Sequence, residues 1–261
     1  MPHFDLQLEE IMKRKSGRLM AGSIFLFNFA ALNYKGMGDF QFKRFKIEQA
    51  LCGMKVGTDG VLLGAWARGG SRVLDAGTGT GVIALMMAQR YPEAQVLGID
   101  IDEGAVRQAA QNVEASPFAH QISIEQTRVQ DMDDAQAGRY DAVVSNPPFF
   151  IDSLQAPDHQ RNVARHAETL TYADLMKAAG RLLNDWGELS VIVPFDYRRC
   201  MDDEAIFQGL FPSRVCAVRT TVKKPVRRYL LAYRKQPCPC EQAELVIGDE
   251  QYRLLTQDFY L

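Results

Sequence analysis

From residue 72 onward the sequence alternates between runs with strand character and runs with helix character, and this alternation constrains the fold more than any other feature. Residues 72–74, 95–99, 121–125, 140–145 and 188–193 are short β-prone stretches. Between them, residues 82–90 (VIALMMAQR), 102–115 and 170–183 read as helices rich in good formers, with Asp102 placed to cap the second. Strands joined by helices run parallel, because each crossover returns the chain to the same edge, and the helices then cover both faces. The predicted fold is therefore α/β: a doubly wound, mostly parallel sheet. A helix over 203–210 and β runs at 214–219 and 227–233 add a late antiparallel strand pair. Residues 184–187 (NDWG) read as the turn that ends the helix before the fifth strand.

The turn between the first strand and the first helix is VLDAGTGTG, residues 73–81. Gly77, Gly79 and Gly81 permit positive φ and let a ligand approach the backbone, while the helix start behind them offers free amide hydrogens. Their alternate spacing differs from the G-x-G-x-x-G of dinucleotide sites. Asp75, between strand and glycines, is expected to face an incoming ligand, which disfavours a pyrophosphate and favours a cationic amine. Asp100 ends the second strand in VLGID, placed to accept hydrogen bonds from ribose hydroxyls; its bland alternative, a helix cap, is already supplied by Asp102.

This combination resembles the class I S-adenosylmethionine-dependent methyltransferases, from about residue 72 to 193. The resemblance implies a Rossmann-like fold and S-adenosyl-L-methionine as cofactor. It implies that Asp75 and the turn glycines hold the methionine part and Asp100 the ribose. It also implies an acidic or amide side chain after the third strand at the adenine amine, a position that Asp131 in TRVQDMDD occupies; the alternative is a surface residue beside Asp133 and Asp134.

A second segment, DAVVSNPPFF (141–150), is a strand with an awkward ending. Pro147 and Pro148 lack amide hydrogens and must lie outside a central ladder, and a residue before proline is pushed away from helix, so Asn146 is held at the strand tip by a stiff, extended segment. NPPF resembles the D/N-P-P-Y/F/W signature of amino-methyltransferases, which act on exocyclic adenine, cytosine or glutamine-amide nitrogens. An arylamine is a poor nucleophile because its lone pair is delocalised into the ring. The Asn146 side-chain oxygen and the Pro147 carbonyl can each accept one of its hydrogens, which favours a tetrahedral nitrogen. Pro148 fixes these acceptors, and Phe149 offers a stacking face worth roughly 1–3 kcal/mol. The loop holds no cysteine, which excludes cytosine-C5 chemistry.

Which amine is methylated depends on the segment before the cofactor motif. MKVGTDGVLLGAWA (54–67) resembles the corresponding stretch of the bacterial valine-tRNA adenine-N6-methyltransferases. FQFKRFKIEQALCGMKVGTDG upstream, NPPFF, ARHAETL (164–170) and the terminal QDFYL extend the likeness over residues 40–261. Phe149 departs from the tyrosine often seen there, losing a hydroxyl and keeping the ring. The resemblance implies a cytoplasmic, monomeric enzyme acting on an anticodon stem-loop, with no DNA, membrane or metal partner. The competing readings are a glutamine methyltransferase of release factors, a DNA adenine methyltransferase and a non-catalytic RNA-binding module. The first normally carries a separate helical domain, and only about seventy residues precede the motif here.

Net charge is −2, so any RNA contact depends on local clusters rather than a global field. Candidate contacts are Lys55, Arg165, His166, Lys223, Lys224, Arg227 and Arg228, with a further basic group at 43–46. The five cysteines are scattered without a C-x-x-C pair, which supports neither zinc nor a disulfide framework. Residues 1–39 read as an extension to a 40–261 domain. Their apolar run LMAGSIFLFNFAAL is too short to span a bilayer, and Met37 is a candidate start.

Overall fold

A computed structural model describes residues 39–148 and 170–261. Phe149, Arg165 and His166 lie outside the described residues, as does nearly all of the extension. The chain divides into two compact units, Met1–Phe40 and Gln41–Leu261, and the second carries the fold.

Eight strands form one sheet: β1 (Arg72–Ala76), β2 (Gln95–Asp100), β3 (Ile122–Gln126), β4 (Tyr140–Ser145), β5 (Leu183–Pro194), β6 (Phe211–Arg219), β7 (Val226–Arg234) and β8 (Glu241–Val246). Their order across the sheet is β8-β6-β7-β5-β4-β1-β2-β3. β1 to β5 are mutually parallel where they pair, β7 is antiparallel to both β5 and β6, and β8 lies parallel to β6. The expected doubly wound sheet with a late antiparallel pair is thus present. The chain leaves β1 toward β2 and β3 on one side and returns to β4 on the other. A crevice therefore opens past the carboxyl ends of β1 and β4, the place where such sheets bind ligands.

The helices are α1 (Thr58–Trp66), α2 (Val82–Arg90), α3 (Glu103–Glu114), α4 (Tyr172–Leu182), α5 (Arg198–Phe207) and α6 (Glu250–Thr256). α2 is apolar from Val82 to Ala88 and buried throughout that run, as a helix without a polar stripe must be. α3 and α4 bury one side only, and each starts at a side-chain cap: Asp102 accepts from the Ala105 amide and Thr171 from the Asp174 amide. Leu74, Val143, Leu189, Val191 and Leu231 from four adjacent strands pack with Leu175, Met176 and Leu182 of α4 in one core. Each such side chain contributes about 1.5–3 kcal/mol on burial. That rigid core holds the strand ends.

Four elements differ from expectation. Residues 184–187 do not separate α4 from β5; they bulge within the strand, between the pairs Tyr140↔Leu183 and Ala142↔Glu188. Their turn chemistry is still used, because Asn184 donates to Asp141 at 2.7 Å and accepts from the Trp186 amide at 3.0 Å. The late helix starts at Arg198 rather than 203. β8 and α6 were not foreseen at all. Among the described residues, no helix is long and apolar enough to cross a membrane.

Candidate active site

The turn after β1 is held closed by its own hydrogen bonds. The amides of Gly77 and Thr78 both donate to the Ile99 carbonyl at 2.9 Å, which ties the turn to β2. Gly77, Gly79 and Gly81 adopt φ of 76°, 56° and 80°, the left-handed region that side-chain-bearing residues avoid. At Gly98 on β2 a Cβ would lie 2.8 Å from the Thr78 hydroxyl, so that strand position has to be bare for the turn to seat.

Asp75 is fully buried under this turn. Its Oδ2 accepts from the Thr78 hydroxyl at 2.7 Å and from the Ala84 amide at 3.0 Å, while its Oδ1 is buried with no hydrogen-bond partner among the described residues. Burial without a countercharge pushes the carboxyl up to about 7, although the bonds from Thr78 and Ala84 favour the anion. The expectation that Asp75 faces the ligand directly is corrected by this placement: it does not line the cavity beyond the turn. A strand-end carboxylate in a buried sheet is enclosed by the helix start, and here it anchors the turn from below.

Asp100 does meet the cavity. Its Oδ2 accepts from the Gly79 amide at 2.9 Å and its Oδ1 from the Asp102 amide at 3.0 Å. A carboxylate has about four lone-pair sites, so two remain for a ligand. The cavity, about 290 Å³, opens between the ends of β1, β2 and β4. Gly77, Gly79, Asp100, Ile101, Val129, Gln130, Asn146, Pro148 and Leu170 line it, together with Cys52, Gly53 and Met54 from the segment before α1. A Cβ at Gly77 would meet nothing within 4 Å, so space lies over the turn backbone. Of the three glycines, Gly81 is not part of the lining; a Cβ there would come within 3.3 Å of Ala109, and its role is close packing of the α2 start on α3.

Asn146 follows β4 directly. Ser145, one residue earlier, is buried and donates to the Ala76 carbonyl at 2.7 Å, locking the ends of β4 and β1 together. Asn146 lines the cavity, and its Oδ1 is buried with no hydrogen-bond partner among the described residues. An amide oxygen left in that state costs about 1–3 kcal/mol, so it marks a place kept for a donor. Pro147 is buried behind it, and Pro148 lines the cavity.

Asp131 is exposed and outside the lining, whereas the neighbouring Gln130 lines the cavity; residues 129–131 form a single 3-10 turn that points successive side chains in different directions. An amide in that place is one of the two types the position was expected to hold. Cys52, Met54 and Leu170 were missed, since nothing local distinguishes them from core residues. Burial pushes the Cys52 thiol up, which disfavours the thiolate a nucleophile would need.

The candidate RNA contacts among the described residues lie outside the cavity. Lys55, Lys223, Lys224 and Arg227 are exposed. Arg228 is the exception, since its Nε donates to Asp59 at 2.8 Å and pins the start of β7 to the first turn of α1. In the 43–46 group, Lys43 donates to the Gln257 carbonyl and Lys46 pairs with Glu48. Among the described residues no cluster of His, Cys, Asp or Glu could hold a metal ion.

The donor set fits S-adenosyl-L-methionine. Open backbone at Gly77 and Gly79, a carboxylate with spare acceptor sites and an apolar wall of Ile101, Val129 and Leu170 suit a small cationic ligand carrying hydroxyls and a flat ring.

Residues 60–208 match the family model described as "Methyltransferase small domain". A protein of Mannheimia succiniciproducens is 41% identical over 230 residues, covering 85% of this chain and 94% of that protein. One of Trichodesmium erythraeum is 41% identical over 236 residues, covering 87% and 99%. Both are named tRNA1(Val) (adenine(37)-N6)-methyltransferase. Among solved structures, a predicted O-methyltransferase from Agrobacterium tumefaciens aligns with TM-score 0.57 at 17% identity, covering 77% of this chain and 96% of that one. P. horikoshii TYW2 in complex with MeSAdo aligns with TM-score 0.54 at 13% identity, covering 76% and 71%. These two likenesses concern the fold.

Proposed function

The chain belongs to the tRNA1(Val) (adenine(37)-N6)-methyltransferase family, and on that premise we propose that it methylates N6 of adenine 37 beside the anticodon of a valine tRNA. The observation that carries this reading is Asn146: a buried acceptor without a donor, at a strand tip, facing the cavity that Gly77, Gly79 and Asp100 also line.

When bound, S-adenosyl-L-methionine supplies an electrophilic methyl group. Gly77, Gly79 and Asp100 would hold its methionine and ribose parts, with Asp75 fixing the turn, and Ile101, Val129 and Gln130 its adenine. Asn146 Oδ1 accepts one hydrogen of the substrate amine and the Pro147 carbonyl the other. The nitrogen then becomes tetrahedral and its lone pair leaves conjugation with the ring. As the N–C bond formed in place of the donor's S–CH3 bond, whose electron pair would stay on sulfur as a neutral thioether, the nitrogen would become cationic and acidic, so its proton would depart to water and no strong base is required beforehand. The rate gain comes from positioning and from acceptors fixed by two prolines. Phe149 is the stacking face in this scheme. Flipping a loop adenine out of its stack costs little, which suits an anticodon loop. Lys55, Lys223, Lys224 and Arg227 supply local positive charge for its backbone, with Arg165 and His166 as further contacts after the NPPFF segment. We assign the enzymatic domain to residues 40–261, acting as a monomer in the cytoplasm, where its tRNA is found.

The test offers labelled S-adenosyl-L-methionine with unmodified total tRNA, DNA and release factor, followed by nucleoside and amino-acid analysis. Label in N6-methyladenosine of a valine tRNA is expected. Label in methylglutamine or in DNA, with none in tRNA, overturns the reading.

A further inference from the structure

The turn that follows β5 places an aromatic side chain at the same sheet edge as Asn146. β4 and β5 are parallel and Ser145 pairs with Val191, so Asn146 and the Phe195–Tyr197 turn leave neighbouring strands in the same direction. Phe195 lies four residues past Val191, about 13 Å further along at ~3.3 Å per residue. The connection to the cavity is continuous. Leu170 in the cavity wall leads into Tyr172, whose ring meets Tyr197 edge-on at 6.0 Å, two residues from Phe195.

Phe195 is 50% exposed, yet it is held in place. Its ring stacks on Tyr229 of β7 at 5.8 Å and 26°, and the Arg198 guanidinium covers the Tyr229 ring at 4.7 Å. A single exposed apolar residue is ordinary. This one sits on a braced aromatic stack beside the tip of the β6–β7 hairpin. The turn there is ordered: the Lys224 amide donates to the Thr221 carbonyl at 3.1 Å, and Arg219 donates to the Lys224 carbonyl at 2.8 Å. Lys223, Lys224 and Arg227 are all exposed on it; Asp196 beside Phe195 is an exposed carboxylate, and exposed Glu244 is paired with Arg219. A flat π-surface fixed next to three cations is the combination that binds unpaired nucleotides: the ring takes a base and the cations take its phosphates.

Resting on the functional reading above, we propose that Phe195 is a substrate-binding residue, the stacking platform for an unpaired nucleotide flanking the target adenine, with Lys223, Lys224 and Arg227 on the adjoining phosphates. The bracing by Tyr229 lowers the ordering cost of the contact. Phe195 is outside the lining of the cavity that Gly77, Gly79 and Asn146 share, so it contributes to substrate capture and not to the methyl-transfer step itself.

The experiment compares wild type, Phe195→Ala and Phe195→Trp on an anticodon stem-loop RNA, intact or with an abasic site at each nucleotide flanking the target. On intact RNA, Phe195→Ala lowers kcat/KM about ten- to hundredfold, the effect of one base–aromatic stack. Phe195→Trp retains activity, and S-adenosyl-L-methionine affinity and Tm are unchanged in both. With one of the abasic RNAs the wild type loses a similar factor and Phe195→Ala loses little more, because the two changes remove one contact. Unchanged kcat/KM in Phe195→Ala, or losses that multiply at every flanking position, overturn the platform while leaving the functional reading intact. A wild type inert on every tRNA and stem-loop overturns both.

Discussion

The two halves of the cavity are built in opposite ways. On the β1–β2 side most polar groups are already satisfied by the protein, with the enclosed Asp75 Oδ1 as the exception among the described residues. Ile99 accepts two amides, Asp100 accepts two, and Asp75 Oδ2 accepts a hydroxyl and an amide. On the β4–β5 side the Asn146 oxygen that faces the cavity has no partner among the described residues, and Phe195 stands half-exposed beyond the cavity lining. The first side is preorganised for a ligand of constant shape, which enters a turn whose strain is already met. The second presents unmet acceptors and exposed rings, and it is completed only when a substrate supplies the missing donors and a base. Cofactor and substrate functions are therefore separable by mutation.

Asn146→Ala is the severest break in the comparison. Turnover at saturating cofactor should fall about 10³-fold, the scale for losing a charge-stabilising polar group in a reaction centre, while calorimetric affinity for S-adenosyl-L-methionine stays within a few-fold of wild type. A collapse of cofactor affinity would place Asn146 on the wrong side of the cavity.

Asp75→Asn probes the other half through pH. Because folding raises the Asp75 carboxyl from the usual carboxylate range to about 7, its contribution to stability is complete below about pH 4 and is lost as pH rises through about 7. Ligand-free wild type should therefore lose stability relative to Asp75→Asn between those limits, by up to ~4 kcal/mol at about 1.36 kcal/mol per pH unit. Thermal melts of both proteins from pH 4 to 8 read this directly. Parallel pH profiles would mean that the buried carboxyl is not raised.

The smallest effect belongs to the exposed hairpin. Replacing Lys223, Lys224 and Arg227 by Ala should weaken tRNA binding and flatten the slope of log K against log salt by about two to three, at roughly one per phosphate contact. Cofactor affinity should not change. An unaltered salt slope would remove the hairpin from the RNA interface.

The parts of this architecture that were legible in the sequence are those where burial on both faces forces uniform chemistry. β4 is apolar across residues 142–144 and its bounds were read without error, because a central parallel strand has no room for polar residues. β8 defied the same reading: of its six residues only Leu245 is buried, so an edge strand with one inward side chain carries no alternation to detect. At the site, the glycines, Asp100 and Asn146 were visible because each is demanded by backbone geometry or by a strand end. The exchange of Gln130 for Asp131 depends on the pitch of one short turn, which residue type does not encode. Phe195 carries no local signal because its stack with Tyr229 and Arg198 is assembled from the turn after β5, from β7 and from α5, and these are brought together only by the antiparallel insertion of β7 between β5 and β6.

The claim that the Asn146 oxygen is reserved for the substrate amine is tested most directly by removing that amine. Affinity of wild type and Asn146→Ala is measured for two anticodon stem-loops that differ only at the target, one carrying adenosine and the other purine riboside, which has no exocyclic nitrogen. Wild type should favour the adenosine RNA more strongly than Asn146→Ala does, by roughly two- to tenfold, the value of one net hydrogen bond at about 0.5–1.5 kcal/mol, with the Pro147 carbonyl accounting for any preference left in the variant. A preference for adenosine that is equal in wild type and Asn146→Ala would contradict the account.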